Sequence, residues 1–202
     1  MSIIKVNLGC GPSGIDGWTN LDWGMLPLLN KLGFVNKLVD WGFLSSGYKT
    51  KWPVFKLFDI RKKLPFADNS VDFVYCSHVL EHFENEEAIN ILWEIKRILK
   101  TDGMARIVLP DVKKIALGYV DARKINEEFW GYDKQVLVGW RRWFIRGHRW
   151  MYDVDEIKST LEKAGFKKNT IVSFKKGKTP DISLLDVAGY SNISLYVEST
   201  KG

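Results

Sequence analysis

The sequence has little cysteine and no long apolar run. Only two of its 202 residues are cysteines, which is too few for a disulfide framework and indicates a reducing compartment. No apolar stretch approaches the roughly 20 residues of a membrane span, and strand-forming residues begin at Ile3, which leaves no room for a signal peptide. Repeats and low-complexity segments are absent as well. We therefore expect a cytoplasmic protein that forms one domain over residues 1–202.

The charge balance is only moderately basic. Thirty lysine and arginine residues against 24 acidic ones give a formal charge of +6, which is weak evidence for nucleic-acid binding. Residues 140–150 concentrate arginines and tryptophans, either as a surface for an anionic acceptor such as RNA, a sugar nucleotide or a membrane headgroup, or as an ordinary helix. The helical spacing of Trp140, Trp143 and Phe144 favours core packing. We expect a small-molecule or glycan-type acceptor rather than nucleic acid.

A glycine loop follows the first apolar strand. The strand breaks at Gly9 and Gly11, where glycine tolerates positive φ and lets backbone amides point at a carboxylate or phosphate. The letters of residues 9–14 also fit G-x-G-x-x-G, but that dinucleotide fingerprint requires a helix to begin at the glycines. Pro12 and Gly17 interrupt this segment. A nicotinamide cofactor is therefore the second choice.

Periodicity predicts the other elements. Apolar residues at a spacing of three to four predict a helix from Asn85 to Lys100, ended by Gly103, and a second helix from Val154 to Ala164 with Asp153 as its N-cap. The remaining apolar runs have the length and composition of strands. The predicted strands are 54–58, 71–76 and an antiparallel edge pair, 171–174 and 194–197.

Four motifs follow one another along the chain. They are LGCG at residues 8–11, LPF at 64–66, SHVLEH at 77–82 and the turn RILKTDG at 97–103. In this order they resemble the class I S-adenosylmethionine-dependent methyltransferases, type 11 branch, well over residues 3–111 and loosely over 148–197. The resemblance implies an α/β, Rossmann-like doubly wound fold: a mostly parallel sheet with an antiparallel edge strand and helices on both faces. It also implies S-adenosylmethionine as the cofactor of a methyl transfer.

The same resemblance suggests where the cofactor binds. Asp22 would accept hydrogen bonds from the ribose hydroxyls, Asp59 would bind the adenine amino group beside the Ile60 amide, and the glycine loop would surround the methionine portion. Because so few residues separate Gly11 from the next predicted strand, 18–22, the role of Asp22 depends on an unusually short crossover. The predicted cofactor residues are Leu8, Gly9, Cys10, Gly11, Asp22, Trp23, Asp59, Ile60, Cys76, Ser77 and His78.

Two segments lie outside the minimal fold that the resemblance implies. Residues 24–52 and 112–147 both follow the carboxyl ends of predicted strands. Ligands bind at that edge of open α/β sheets, so both segments are expected to cover the acceptor.

The histidines provide the candidate catalytic groups. His78, Glu81 and His82 are spaced to share a helix face, and His148 is the only other histidine. His78, His82 and His148 could each act as a base near the cofactor, which favours an acceptor that is methylated on oxygen. Alternatively, these four residues bind a divalent metal, as a similar E-x-x-E-H pattern does in plant-type small-RNA 2′-O-methyltransferases and ubiquinone-pathway O-methyltransferases. His78 replaces a glutamate there, which favours a softer metal, and we take the metal-free version as the first choice.

Two other classes of function stay open. One is a nicotinamide-dependent oxidoreductase, which the glycine loop alone permits. The other is a non-catalytic protein that binds the cofactor or a partner. Selective binding of S-adenosylhomocysteine separates the first from a methyltransferase, and turnover of an acceptor separates the second.

Overall fold

The protein is built on one seven-stranded sheet. The computed structural model describes residues 3–44, 46–118, 120–122, 124 and 147–202. The strand order is β3-β2-β1-β4-β5-β7-β6, and β7 runs antiparallel to both of its neighbours while the other pairs are parallel. This confirms the predicted Rossmann-like sheet with its antiparallel pair at one edge. The strands are β1 Lys5–Leu8, β2 Thr19–Asp22, β3 Phe55–Leu57, β4 Val71–Ser77, β5 Leu99–Pro110, β6 Lys168–Val172 and β7 Ser194–Thr200.

The described helices differ in length. The two longest helices of the described residues, α3 and α5, begin where predicted, α3 with a capping box between Glu84 and Glu87 and α5 with Asp153 as N-cap. The predicted basic and aromatic residues 140–146, and most of the predicted cover 112–147, lie outside the described residues. The helices are α1 Met25–Lys31, α2 Val35–Asp40, α3 Asn85–Ile98, α4 Val112–Leu117, α5 Val154–Lys163 and α6 Ile182–Leu185, with 3-10 turns at Gly11–Ser13, Ser46–Tyr48, Leu80–His82 and Ala188–Tyr190.

The predicted end of α3 needs a small correction. The helix ends at Ile98, two residues early, because Leu99 is already extended and begins β5. Leu99 pairs with Val71 and Met104 with Phe73, so the intervening residues of β5 form a bulge. Gly103 therefore lies in a strand irregularity and not at the end of the helix.

The main core lies between the sheet and the helices α3 and α5. Ile91, Leu92 and Ile95 of α3 and Leu161 of α5 are buried against the strands. Each such side chain contributes roughly 1.5–3 kcal/mol on burial. The LPF segment is held to the same helix, since Glu94 accepts the Leu64 amide hydrogen. The apolar residues that recur every three to four positions in α3 are therefore the ones that face the sheet.

The opposite face of the sheet has a smaller apolar cluster and a buried ion cluster. Trp18 packs edge-on against Tyr75 there. The side chain of Arg106 is fully buried and pairs with Asp186 at 2.6 Å and with Glu198 at 3.2 Å. The two carboxylates offset the cost of burying the guanidinium and tie β5 to β7 and to the residue after α6.

The crossover between β1 and β2 is unusually short. Parallel neighbours usually need a crossover of a dozen or more residues, but only residues 9–18 connect these two strands. The amides of Gly9 and Cys10 both donate to the Leu21 carbonyl, and the Asn20 side chain donates to the carbonyls of Ile15 and Val54. The predicted strand at 18–22 is therefore the second strand, and Asp22 ends beside the glycine loop.

Among the described residues, no helix combines the length and the apolar composition that crossing a bilayer requires.

Candidate active site

A cavity of about 380 Å³ opens at the carboxyl edge of the sheet, where ligands bind in open α/β folds. It lies beside the ends of β1, β2 and β4 and is partly walled by the start of α1. It is lined by Gly9, Asp22, Trp23, Gly24, Met25, Leu26, Pro27, Tyr48, Asp59, Ile60, Arg61, His78, Val79, His82 and Phe83.

Asp22 and the glycine loop are joined directly. One carboxylate oxygen of Asp22 accepts the Gly11 amide hydrogen at 2.7 Å, and the other accepts that of Trp23, also at 2.7 Å. Burial raises the pKa of Asp22 despite these bonds. Burial, and secondly the charge of Asp22, raises the pKa of Cys10 to about 12, so its thiol stays protonated. Asp22 is therefore a fixed acceptor at the cavity wall.

Gly9 and Gly11 have different surroundings. Both have positive φ, +66° and +50°. A Cβ on Gly9 would collide with Val79, whereas a Cβ on Gly11 would meet no heavy atom within 4 Å. Gly9 is thus required for packing, while Gly11 leaves its backbone open to a ligand.

Asp59 is engaged by Arg61. The guanidinium donates to both carboxylate oxygens, at 2.9 and 2.7 Å, and the Arg61 amide adds a third bond. This pairing is the main cause that holds the pKa of Asp59 below its usual range. Asp59 is therefore an ionised acceptor in the cavity lining, with part of its hydrogen-bonding capacity already used.

Five predicted cofactor residues do not line the cavity. Leu8 and Cys76 are fully buried at strand ends, and Ser77 closes β4. Cys10 and Gly11 belong to the loop that is bonded to Asp22 through the Gly11 amide. Among the described residues both cysteines are free thiols, and burial raises the pKa of Cys76 well above its usual range.

The predicted helix face for His78, Glu81 and His82 is wrong. His78 has a left-handed backbone, φ +54°, directly after β4, and the residues at Leu80–His82 form only a 3-10 turn. The His78 ring lies against Tyr190, with Nε2 3.0 Å from Ser194 Oγ and Nδ1 3.4 Å from Glu81 Oε1. His78 thus reaches Glu81 from the end of a strand, not along a helix.

Glu81, His82 and His148 form a tight cluster. The Glu81 side chain is fully buried, and His148 Nε2 lies 4.0 Å from its Oε1. The rings of His82 and His148 meet edge-on with centroids 5.1 Å apart, and one ligand atom from each of the three residues lies within 4.8 Å of the others. His82 Nδ1 is 3.4 Å from the Gly147 carbonyl oxygen.

The charge of Glu81 is stabilised by histidines. Burial raises the pKa of this carboxyl, but His78, His82 and His148 outweigh that effect and hold it below its usual value. Neither Glu81 oxygen accepts a hydrogen bond from the described residues. The Tyr152 hydroxyl is likewise buried without a hydrogen-bond partner there, and burial followed by the charge of Glu81 raises its pKa.

Comparison with known proteins matches part of the chain to a family model and the whole chain to solved structures of the same fold. The family model described as a methyltransferase domain matches residues 44–107, which contain β3, β4, α3 and most of β5. Residues 44–107 are therefore similar to a methyltransferase domain. A solved S-adenosylmethionine-dependent methyltransferase of Thermotoga maritima is 16% identical, with a TM-score of 0.58 over 100% of this chain and 83% of that one. The matched model is a methyltransferase domain and gives no support to the alternative of a nicotinamide-dependent oxidoreductase.

Two further comparisons cover smaller shares of the matched proteins. The CMeT domain of the citrinin polyketide synthase is 14% identical, with a TM-score of 0.54 over 99% of this chain but 46% of that one. An uncharacterized Methanocaldococcus jannaschii protein is 48% identical over 46 residues, which are 23% of this chain and 19% of that protein. This chain therefore spans about a fifth of the length of its curated relative and under half of the citrinin structure.

Sequence reasoning missed part of the cavity wall of this methyltransferase fold. Arg61 was overlooked, although a basic residue two positions after a strand-end aspartate is well placed to pair with it. Val79 and Phe83 lie in the SHVLEH motif but carry no polar group to attract notice. Met25 and Tyr48 come from the segment 24–52, which was predicted to cover the acceptor and does supply part of the wall.

Proposed function

We propose that this protein transfers a methyl group from S-adenosylmethionine to an oxygen atom of a small-molecule or glycan-type acceptor. The observation that carries this proposal is the cavity that Gly9, Asp22, Asp59 and His82 line together. Its volume of about 380 Å³ lies within the usual range of small-ligand sites.

The residues present fit the cofactor. The two Asp22 oxygens each accept one backbone amide, which leaves capacity for two ribose hydroxyls. Asp59 Oδ2 accepts only one hydrogen bond from Arg61, so it retains capacity to accept an adenine amino group next to the Ile60 amide. The open backbone at Gly11 suits close approach of the methionine portion. The cofactor would supply an electrophilic methyl group on a sulfonium.

His82 is the proposed base. If its Nδ1–H donates to the Gly147 carbonyl, Nε2 has a lone pair to accept a proton. In the transfer of the methyl group that the cofactor would supply, His82 Nε2 would take the hydroxyl proton of the acceptor. His78, whose two nitrogens face Glu81 and Ser194, and His148, beside Glu81, would position this centre.

The residues that line the cavity favour a compact, partly apolar acceptor. Trp23, Met25, Leu26 and Phe83 supply apolar and aromatic surface near the base. Aromatic rings pack well on the apolar faces of sugars and small ring systems. This composition supports a small molecule or glycan precursor over a folded nucleic acid.

Cofactor binding and turnover test the proposal. Calorimetry is expected to detect S-adenosylhomocysteine binding and none with NADH, and mass spectrometry to detect a methylated product from a panel of hydroxyl acceptors. His82→Gln should keep S-adenosylhomocysteine affinity and lose turnover. NADH binding in place of S-adenosylhomocysteine would support an oxidoreductase. Cofactor binding without any methylated product would support a non-catalytic protein.

One observation favours a second candidate mechanism, in which a divalent ion assists. Glu81 is a fully buried, ionised carboxylate whose oxygens accept no hydrogen bond from the described residues, and two imidazoles lie within ligand distance of one another and of it. A buried carboxylate charge needs a positive charge beside it, and a bound metal ion would supply one. A site of two imidazoles and a carboxylate suits Zn²⁺ or a similar transition metal better than Mg²⁺.

Metal analysis separates the two mechanisms. In the metal version the purified protein contains about one equivalent of metal, chelator abolishes turnover, and Glu81→Gln, His82→Ala and His148→Ala lose metal alike. Ser77→Ala, which lies outside the cluster, is the control and should keep it. In the metal-free version chelator has no effect and the His82 variant alone loses most of the turnover.

A further inference from the structure

The segment from Trp23 to Phe43 exposes an unusual amount of apolar surface. Helices α1 and α2 each bury only one residue, Pro27 and Val35. The exposed fractions of Trp41 and Leu32 reach 65% and 60%. We call this surface the apolar face; its exposed residues are Trp23, Met25, Leu28, Leu32, Phe34, Trp41 and Phe43.

The residues of the apolar face lie on or beside helices that contact one another. Helix α1 contacts α2, and α2 contacts the turn at Ser46–Tyr48. The rings of Trp41 and Phe43 meet edge-on at 6.3 Å. Seven exposed large apolar side chains within one short segment indicate an interaction site.

Positive charge accompanies the apolar face. Residues 23–43 hold two lysines and one aspartate, and the following residues 44–63 add six lysines and arginines and one aspartate, which makes eight basic residues and a net charge of +6 over 23–63. Lys37 lies over the Phe34 ring at 5.7 Å and Lys31 over Phe55 at 5.4 Å. Lys37 is therefore placed beside an exposed ring of the apolar face, and Lys31, on α1, covers the buried Phe55 ring.

The apolar face is also continuous with the candidate active site. Trp23, Met25 and Pro27 line the cavity, as does Tyr48 from the following turn. Whatever binds the apolar face therefore lies at the cavity mouth.

We propose that the apolar face docks on a lipid bilayer that contains anionic lipids. Tryptophan and phenylalanine enter the interfacial layer, leucine and methionine reach the acyl boundary, and lysines contact the headgroup phosphates. Seven of the eight basic residues in 23–63 are lysines, whose point charges bind phosphates without requiring a fixed geometry. The aliphatic side chains of Leu28 and Leu32 offer no surface on which RNA bases could stack. An acceptor held at a membrane surface would then meet the cavity directly.

Vesicle sedimentation tests this docking. The full chain is expected to bind vesicles of phosphatidylcholine mixed with phosphatidylglycerol and to bind vesicles of phosphatidylcholine alone much more weakly, with the difference shrinking as salt rises. Trp41→Ser combined with Leu32→Ser should weaken binding about tenfold or more. Trp93→Ser is the matched control, since Trp93 is a similarly exposed tryptophan (61%) on α3.

A second pair of variants tests the charge. Lys31→Glu with Lys37→Glu should reduce binding to the anionic vesicles, and Lys163→Glu with Lys168→Glu, exposed lysines of α5 and β6, should not. Failure to bind anionic vesicles, or equal loss in the Trp93 control, overturns the proposal. Single-stranded RNA binding that depends on the same residues, without vesicle binding, would assign the surface to RNA instead. S-adenosylhomocysteine affinity should be unchanged in these variants, so docking can fail independently of the proposed methyl transfer.

Discussion

His148 Nε2 lies 4.0 Å from the buried Oε1 of Glu81, although the two residues are far apart in the chain. The backbone holds the same junction, because the Arg149 amide donates to the Glu81 carbonyl at 2.7 Å. His148 and Arg149, which directly follow the segment 112–147, therefore contact the SHVLEH turn at the edge of the cavity. This geometry places all three histidines of the sequence around one carboxylate.

Asp22→Asn tests the proposed ribose contact. The amide keeps a carbonyl oxygen for the Gly11 amide but removes the charge, and a lost charged hydrogen bond corresponds to about 1.5–3 kcal/mol, or roughly tenfold or more in affinity. We expect S-adenosylhomocysteine binding to weaken by that factor in calorimetry. Asp102→Asn, in the exposed bulge of β5, is the control. Unchanged affinity in a folded Asp22 variant would remove this residue from the cofactor site.

Alanine at the two loop glycines should have different effects. Gly9→Ala combines a left-handed backbone, about 1–2 kcal/mol, with a collision against Val79, so its melting temperature should fall clearly. Val79→Ala should partly restore it. Gly11→Ala meets open space, so it should fold with a smaller loss but bind S-adenosylhomocysteine more weakly. Normal binding by the Gly11 variant would show that this backbone does not contact the cofactor.

The thiols should be unreactive in the folded protein. At pH 8 a thiol with a pKa of about 12 is ionised in roughly one molecule in ten thousand, and only the thiolate is nucleophilic. Cys10 should therefore resist iodoacetamide until denaturant is added or the pH approaches 12, and Cys76, fully buried, should behave alike. Peptide mass spectrometry after timed labelling measures both sites. Rapid labelling of native Cys10 at pH 8 would contradict its buried, protonated state.

The buried ion cluster should contribute strongly to stability. Arg106→Met leaves Asp186 and Glu198 buried without their cation, and breaking a buried pair in this way costs about 3–5 kcal/mol. Arg149→Met removes an exposed pair with Glu84 and should cost less than about 1 kcal/mol. Urea unfolding compares the two. Equal effects would show that burial of Arg106 is not what makes its pairing important.

Local pattern was enough to predict much of this fold. The three-to-four spacing of Ile91, Leu92 and Ile95 predicted α3 because side chains at that spacing share one face of a helix. Asp153 marked the start of α5, and the run of motifs from the glycine loop to β5 indicated the family. The positions of Asp22 and Asp59 at strand ends also followed from local pattern, because parallel strands end at one edge.

The tertiary structure decided how the site is assembled. No local rule predicts that residues 9–18 can connect two parallel neighbouring strands, or that Arg61 pairs with Asp59. Nor does any local rule predict the left-handed backbone of His78 or the contact of His148, which is distant in the chain, with Glu81. Sequence periodicity reports which face of an element is apolar, a property of neighbours along the chain. Contacts between distant residues depend on how whole elements pack, and that packing brought Glu81, His82 and His148 together.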